Sequence, residues 1–136
     1  MAQKAVIDAV ADRLAAYWTL CPVWEANTVT QPPADGSGYL EIQYPVTNSQ
    51  QISIGAPGQN WLRDEGVIRA VFHIESGTGL SVASTWSDTF AALFRLKQFD
   101  GVQTWAPSSP AVDDDNDNGN YFVVSVAVPY WFDYLG

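Results

Sequence analysis

The stretch VIRAVFHIE, residues 67–75, combines one fully apolar set of alternate residues with one mixed set. Every second residue from Ile68 to Ile74 is apolar, whereas the positions between them include Arg69 and His73. Successive side chains of a strand point to opposite faces, so this period of two predicts a strand with one strongly apolar face. An apolar sheet face must be covered by other elements of the same domain.

Two segments have the three- and four-residue spacing of apolar side chains that is typical of an amphipathic helix. The first is residues 3–18, and the second is residues 80–97, which follows the strand-breaking glycines at 77–79. The second helix is predicted to carry Arg95 and Lys97 in its last turn, where the helix dipole favours positive charge. These helices are the expected cover of the sheet.

Shorter alternating segments supply the rest of the predicted sheet. We expect strands at residues 39–46, 51–54, 102–105 and 121–128. Pro45 favours an edge position for the first of them, and Asn48 with Ser49 is interpreted as the turn before the second. Strands in short runs separated by single helices predict an α+β fold: an antiparallel β-sheet of about four or five strands with two helices packed on one face.

The length of 136 residues predicts one domain, residues 1–136, with one hydrophobic core. A proline-rich arm is expected at about 22–38 and an acidic loop at 107–120. No apolar run approaches the roughly 20 residues that a bilayer span requires, so no membrane is expected as a partner. The start of the chain has acidic residues where a signal peptide is apolar, which favours synthesis in the cytoplasm.

The charge balance argues against sequence-specific nucleic-acid binding. The chain has 6 basic and 15 acidic residues, for a net charge of -9. Nucleic-acid binding proteins gain most of their affinity from Lys and Arg on phosphates. The acidity is concentrated, because residues 100–136 hold six acidic residues and neither Lys nor Arg.

The sequence offers no catalytic residues and no cofactor site. His73 lies within a strand pattern, with no serine or cysteine at a diagnostic spacing. Cys21 is the one cysteine, so an internal disulfide is excluded and zinc lacks its usual ligands. The glycines at 55, 58, 77 and 79 lack the lysine of a phosphate loop and are interpreted as turn residues.

The acidic loop invites comparison with a calcium-binding loop. Asp114, Asn116 and Asn118 match the first ligand positions of an EF-hand, but the twelfth position is Ser125 instead of Glu. Three interpretations stay open: a solvated charged loop, charge placed for repulsion or docking, and a calcium site. No metal site is predicted.

The chain is also rich in aromatic residues, and several of them lie near its end. Trp61, Trp105 and the terminal segment PYWFDYLG carry more rings than two helices and a small sheet plainly bury. Aromatic residues are enriched at protein interfaces, although additional core is an equally good interpretation. An assembly protein is therefore favoured over an enzyme.

The order and spacing of several motifs resemble the tail terminator proteins of long-tailed bacteriophages. The similarity spans about residues 3–105 and includes the N-terminal amphipathic helix. The motifs are GYLEI at 38–42, SIGAPG at 53–58, RDEGV at 63–67, and GTG at 77–79 before a helix ending in Phe94 and Arg95. The acidic loop and the aromatic end are not typical of the family.

The resemblance implies a non-enzymatic virion protein that forms a ring, expected to be a homohexamer, at the head-proximal end of the tail. Its partners would be the tail tube protein and the head–tail connector or neck protein, and DNA would pass through without specific binding. The arm at 22–38 and the residues from 130 to 135 would reach across subunits. Interface residues are expected at Gly55, Gly58, Trp61, Gly77, Gly79, Tyr130, Trp131 and Phe132. The acidic lumen or docking loop is expected at Asp113, Asp114, Asp115 and Asp117.

Two alternatives remain. Another ring-forming phage protein, of the tail tube or of the head–tail junction, would share these features. A small calcium- or ligand-binding module belongs to a different class of function.

Overall fold

A computed structural model describes residues 1–25, 36–112 and 121–136. Within these residues the chain forms two α-helices and eight β-strands. The elements are α1 (Lys4–Tyr17), β1 (Val23–Glu25), β2 (Tyr39–Gln43), β3 (Thr47–Gln51), β4 (Trp61–Glu75), α2 (Leu80–Phe94), β5 (Gln98–Phe99), β6 (Val102–Thr104), β7 (Ala111–Val112) and β8 (Tyr121–Leu135).

The two long strands β4 and β8 form the centre of the sheet. They pair antiparallel over their whole length, from Trp61 opposite Leu135 to Glu75 opposite Tyr121. The described strands follow the order β1-β2-β4-β8-β6-β5, with β3 also on β4 and β7 also on β8. β1 and β2 are parallel, and the other pairs are antiparallel.

The hydrophobic core lies between one face of this sheet and both helices. Ile68, Ala70, Phe72 and Ile74 of β4 are buried there, as the alternation in the sequence predicts. The helices also contact each other, since the Arg13 Nε–H donates to the Leu93 carbonyl at 2.7 Å. The core residues from the other elements include Val10, Leu14, Trp18, Leu40, Ile42, Phe90, Phe94, Val102, Val124, Val126, Val128 and Tyr130.

The predicted α+β class, the antiparallel pairing and the strands at 102–105 and 121–128 are confirmed, but the predicted number of strands is too low. The prediction for 51–54 is wrong: the strand is Thr47–Gln51, so Asn48 and Ser49 pair with β4 instead of turning. Polar side chains form this strand because their groups find partners, as when Thr47 Oγ1 pairs with Tyr130 Oη at 3.0 Å. The expected edge position of β2 is also wrong, since β1 lies beside it.

The second helix ends three residues earlier than predicted, so Arg95 and Lys97 lie beyond its last turn. The cause is Thr104 of β6. Its hydroxyl donates to the Phe94 carbonyl and accepts the Lys97 N–H at 2.9 Å, which caps the helix end with a side chain. Leu96 has a left-handed φ of 50°, which redirects the backbone toward β5.

Strand β8 continues past Pro129, so residues 130–135 belong to the sheet. Proline normally interrupts a central strand because it lacks an N–H. Here Pro129 faces Val67, and the Val67 N–H donates to the Val46 carbonyl on the far side of β4. The pair is therefore one of the antiparallel pairs without mutual hydrogen bonds, and proline removes no bond of the β4–β8 ladder.

Tyr130 links the two halves of this ladder. Its side chain is only 1% exposed and packs over Gly66, where an added Cβ would lie 2.7 Å from the tyrosine ring and from the Val46 carbonyl. Glycine at 66 is therefore the residue that leaves room for the ring. Burial raises the pKa of the Tyr130 phenol, while its hydrogen bond with Thr47 acts in the opposite direction.

Substitutions at Tyr130 should reduce stability in a graded way. Tyr130→Ala should lower the free energy of unfolding by about 3–5 kcal/mol, because it removes a buried aromatic ring. Tyr130→Phe should cost about 0.5–1.5 kcal/mol, the usual contribution of one hydrogen bond. Urea unfolding measures both values.

Trp61→Ala is the matched control, since it removes a large ring from the exposed end of the same ladder. It should change stability by less than about 1 kcal/mol. Equal losses for Tyr130→Ala and Trp61→Ala would contradict a core position for Tyr130.

Candidate functional site

The sheet continues beyond the helices, and we call this end of it the ribbon tip. It comprises β3, the loop 52–60, residues 61–66 of β4 and residues 130–136 at the end of the chain. The run from 42 to 62, which supplies much of it, contains no charged residue and is the longest uncharged run in the sequence. The tip exposes the apolar side chains of Ile52, Ile54, Trp61 and Leu135.

Backbone hydrogen bonds hold the tip in shape. Asn60 and Gly136 exchange both of their N–H···O bonds, at 3.1 and 2.9 Å, which extends the β4–β8 ladder by one more pair. The Ile52 N–H donates to the Trp61 carbonyl at 2.9 Å. In the loop itself, Gly58 adopts a φ of +84°, which few other residues tolerate.

A buried carboxylate fastens the tip to the first helix. Asp64 is 1% exposed and accepts hydrogen bonds from the Gln3 side-chain amide, at 2.6 Å, and from the Ser49 hydroxyl. Gln3 precedes α1, and Ser49 lies in β3. One side chain therefore joins α1, β3 and β4.

A charged and aromatic cluster lies on the other face of the tip. The Arg63 guanidinium is 3.9 Å from the centroid of the Trp131 ring and donates two hydrogen bonds to Asp133, at 2.8 and 3.0 Å. The Trp105 ring meets Trp131 edge-on at 4.9 Å. The hydrogen bond from Arg63 lowers the pKa of Asp133 below its ordinary value of 3.8.

An open apolar groove of about 480 Å³ lies between α1 and the β1–β2 edge of the sheet. We call it the α1 groove. Burial raises the pKa of the Cys21 thiol in its wall to about 11, so this thiol is neutral near pH 7 and is a poor nucleophile. The groove is lined by Val10, Ala11, Leu14, Ala15, Trp18, Cys21, Val23, Trp24, Ile42 and Tyr44.

The histidine lies in a stack of rings on the sheet face opposite the helices. Its ring stacks on Tyr39 at 4.2 Å, and Tyr39 stacks on Trp24 at 4.2 Å. Tyr121 meets both His73 and Tyr39 edge-on. His73 Nε2 lies 3.3 Å from a Glu41 carboxylate oxygen. These contacts give His73 a packing role.

The structure does not bring the predicted interface residues together. Gly55, Gly58, Trp61, Tyr130, Trp131 and Phe132 belong to the ribbon tip, but the Tyr130 side chain is buried in the core. Gly77 and Gly79 lie at the opposite end of β4, before α2, with φ angles of 85° and 77°. The end of the chain, expected to extend across subunits, pairs with β4 instead.

Other predicted features fall partly or wholly outside the described residues. The described residues do not include the acidic positions Asp113, Asp114, Asp115 and Asp117, or most of the possible calcium loop. They also do not include residues 26–35 of the arm predicted at 22–38, whereas Val23–Glu25 of that arm forms β1. Among the residues that are described, no group of three or more His, Cys, Asp or Glu side chains is placed to hold a metal ion.

Sequence reasoning did not identify Ile54 or the α1 groove. The uncharged run from 42 to 62 was a visible signal for Ile54.

None of the helices in the described ranges is long and apolar enough to cross a membrane.

Comparison with known proteins identifies one family. A family model described as phage tail terminator protein matches residues 5–130. Fifteen chains of solved structures are similar to this chain. One of them has a TM-score of 0.62 and 22% sequence identity over 100% of this chain and 96% of its own length, which shows a shared fold. No curated protein sequence matches.

The Arg63–Asp133 pair predicts a pH dependence of stability. Because the pKa of Asp133 is lower in the folded protein, the pair stabilises the fold above the unfolded pKa, and this contribution is lost as the pH falls through the folded pKa. Asp133→Asn should therefore be slightly less stable than the wild type at pH 7, and the difference should vanish in acid. Urea midpoints between pH 7 and pH 2 measure it.

The effect is small, because both side chains are partly exposed and salt screens them. Glu65→Gln is a control on the same face of β4, where the carboxylate accepts a hydrogen bond from Gln50. A difference between wild type and Asp133→Asn that grows as the pH falls would contradict the assigned direction.

Proposed function

The chain belongs to the phage tail terminator family, and on this basis we propose that it forms a ring at the head-proximal end of the tail tube. The ring ends polymerisation of the tube and joins the tail to the head connector. The family match over residues 5–130 carries the proposal, because it includes all but the first residue of α1, all of α2 and β4, and residues 121–130 of β8. A structural role in a phage tail follows from the family itself.

A closed ring of identical copies needs two different surfaces on each protomer. Each copy then presents one surface to its neighbour on one side and the other surface to its neighbour on the opposite side. The ribbon tip and the α1 groove share no residue, and within residues 1–25, 36–112 and 121–136 both are open to solvent. Two such surfaces support a ring, for which we propose six copies.

The chemistry of the described residues supports a structural role and not an enzymatic one. The Cys21 thiol is neutral, and His73 is held by stacking and by Glu41. The polar side chains of the ribbon tip bond mainly to one another. Such groups stabilise a shape and leave no nucleophile next to a base.

The acidity of the chain supports passage of DNA through the ring. A net charge of -9 per copy repels phosphates, so DNA moves past without binding. We place Asp113, Asp114, Asp115 and Asp117 at the lumen as part of this proposal. The arrangement needs no specific contact with DNA.

Deleting the gene from the phage that encodes it tests the proposal. Without a terminator, tube subunits keep adding, so lysates should contain tubes longer than normal and without heads. Electron microscopy of the lysates measures tube length and head attachment. Wild-type protein supplied from a plasmid should restore both, and the Tyr130→Ala variant provides a matched negative control if it fails to fold.

Two other outcomes are informative. Tubes of normal length that lack heads would assign the protein to the head–tail junction and would contradict termination. Normal tails with heads would contradict both parts of the proposed function.

A further inference from the structure

We propose that loop 52–60 of one copy inserts Ile54 into the α1 groove of the next copy. The inference rests on the proposed ring and adds the contact that connects its subunits. The occupant of the groove is thus a second copy of this chain.

Ile54 is the most exposed large apolar side chain in the described part of the protein. It is 98% exposed, so it gains nothing from its own chain. The loop around it is held in place, because Ile52 bonds to Trp61 and the Trp61 N–H donates to the Ser53 hydroxyl at 2.8 Å. An apolar side chain on a fixed loop suits a preformed apolar partner surface.

The α1 groove has the matching properties. Its volume of about 480 Å³ falls within the range of about 300–1,000 Å³ that is typical of sites for small organic groups. Its wall is formed mainly by alanine, leucine, valine, isoleucine and aromatic side chains. The Trp18 side chain, which is 5% exposed, forms part of this wall.

The absence of charged residues from both loop 52–60 and the α1 groove favours contact between these two surfaces. Copies that each carry -9 repel one another, and burying an unpaired carboxylate in a contact is costly. None of the described residues lining the groove is charged, and the loop 52–60 has no charged residue either. Uncharged surface on both sides lets two acidic copies meet without burying a carboxylate.

Cysteine cross-linking on assembled tails tests the contact directly. Ala15 lies in the groove wall and Ala56 in the loop, and both are exposed, so Ala15→Cys with Ala56→Cys leaves Ile54 intact. Cys21→Ala removes the native thiol. Mild oxidation of purified tails should give a ladder of covalent multimers on denaturing gels.

The single variants and a pair of Ala56→Cys with Ser84→Cys are the controls. Ser84 is exposed on α2 and does not line the groove. The Ala15–Ala56 pair should give about tenfold more multimer than this control, since a disulfide requires Cα atoms within about 7 Å.

A charge substitution gives a second readout. Ile54→Asp should produce overlong tubes in complementation, because a carboxylate would enter an apolar groove. Leu96→Asp is the matched control: Leu96 is 61% exposed, and its left-handed φ suits aspartate. Both variants should unfold at the wild-type urea concentration.

The outcomes separate this inference from the proposed function. A ring visible at tail ends without the 15–56 cross-link, or with residue 15 linked to the tube protein, would overturn the Ile54 contact while leaving the ring. Tail ends that carry no ring of this protein would overturn both.

Discussion

The antiparallel pairing of β4 with β8 is the constraint on which the rest of the structure depends. The fifteen residues of each strand pair without a break, and every other strand of the main path attaches directly or indirectly to this ladder. The helices and the core pack on one half of the ladder, from the Ile68–Val128 pair to the Glu75–Tyr121 pair. The other half extends past the helices and forms the ribbon tip. The same ladder of backbone hydrogen bonds therefore organises the core and positions the ribbon tip.

The tip lacks a helix of its own, and specific side chains compensate for that absence. Tyr130 packs over Gly66 where the core meets the ribbon tip. Asp64 connects α1 to β3 through its hydrogen bonds with Gln3 and Ser49. Arg63 and Trp131 cover the opposite face. These contacts fix β3 and β4 on either side of loop 52–60. In the proposed contact between copies, a loop whose two ends are fixed loses less conformational entropy on binding.

The sequence predicted the part of the ladder that follows simple alternation and missed the part that does not. Residues 67–75 and 121–128 have an apolar residue at every second position, because the face that these residues form is buried under the helices. In residues 61–66, a buried aspartate and a glycine occupy the core-side positions, which hides the strand. Pro129 in the sequence suggests that β8 ends there. It is tolerated because it lies opposite Val67 in a pair without mutual hydrogen bonds, and this pairing register cannot be read from the sequence. The order and spacing of the motifs led to the correct family. The α1 groove could not be predicted from the sequence, because it forms only when α1 packs against β1 and β2.

Hydrogen exchange of the native protein tests the central claim that the ribbon tip and the core form one rigid unit. Because Asn60 and Gly136 form a mutually bonded pair and such pairs alternate, the amides of Asp64, Gly66, Ala70 and Phe72 all point toward β8. We expect the opening free energies of Asp64 and Gly66 to lie within about 1–2 kcal/mol of those of Ala70 and Phe72. Exchange of Asp64 and Gly66 at nearly the rate of an unfolded chain, with Ala70 and Phe72 still protected, would contradict the account.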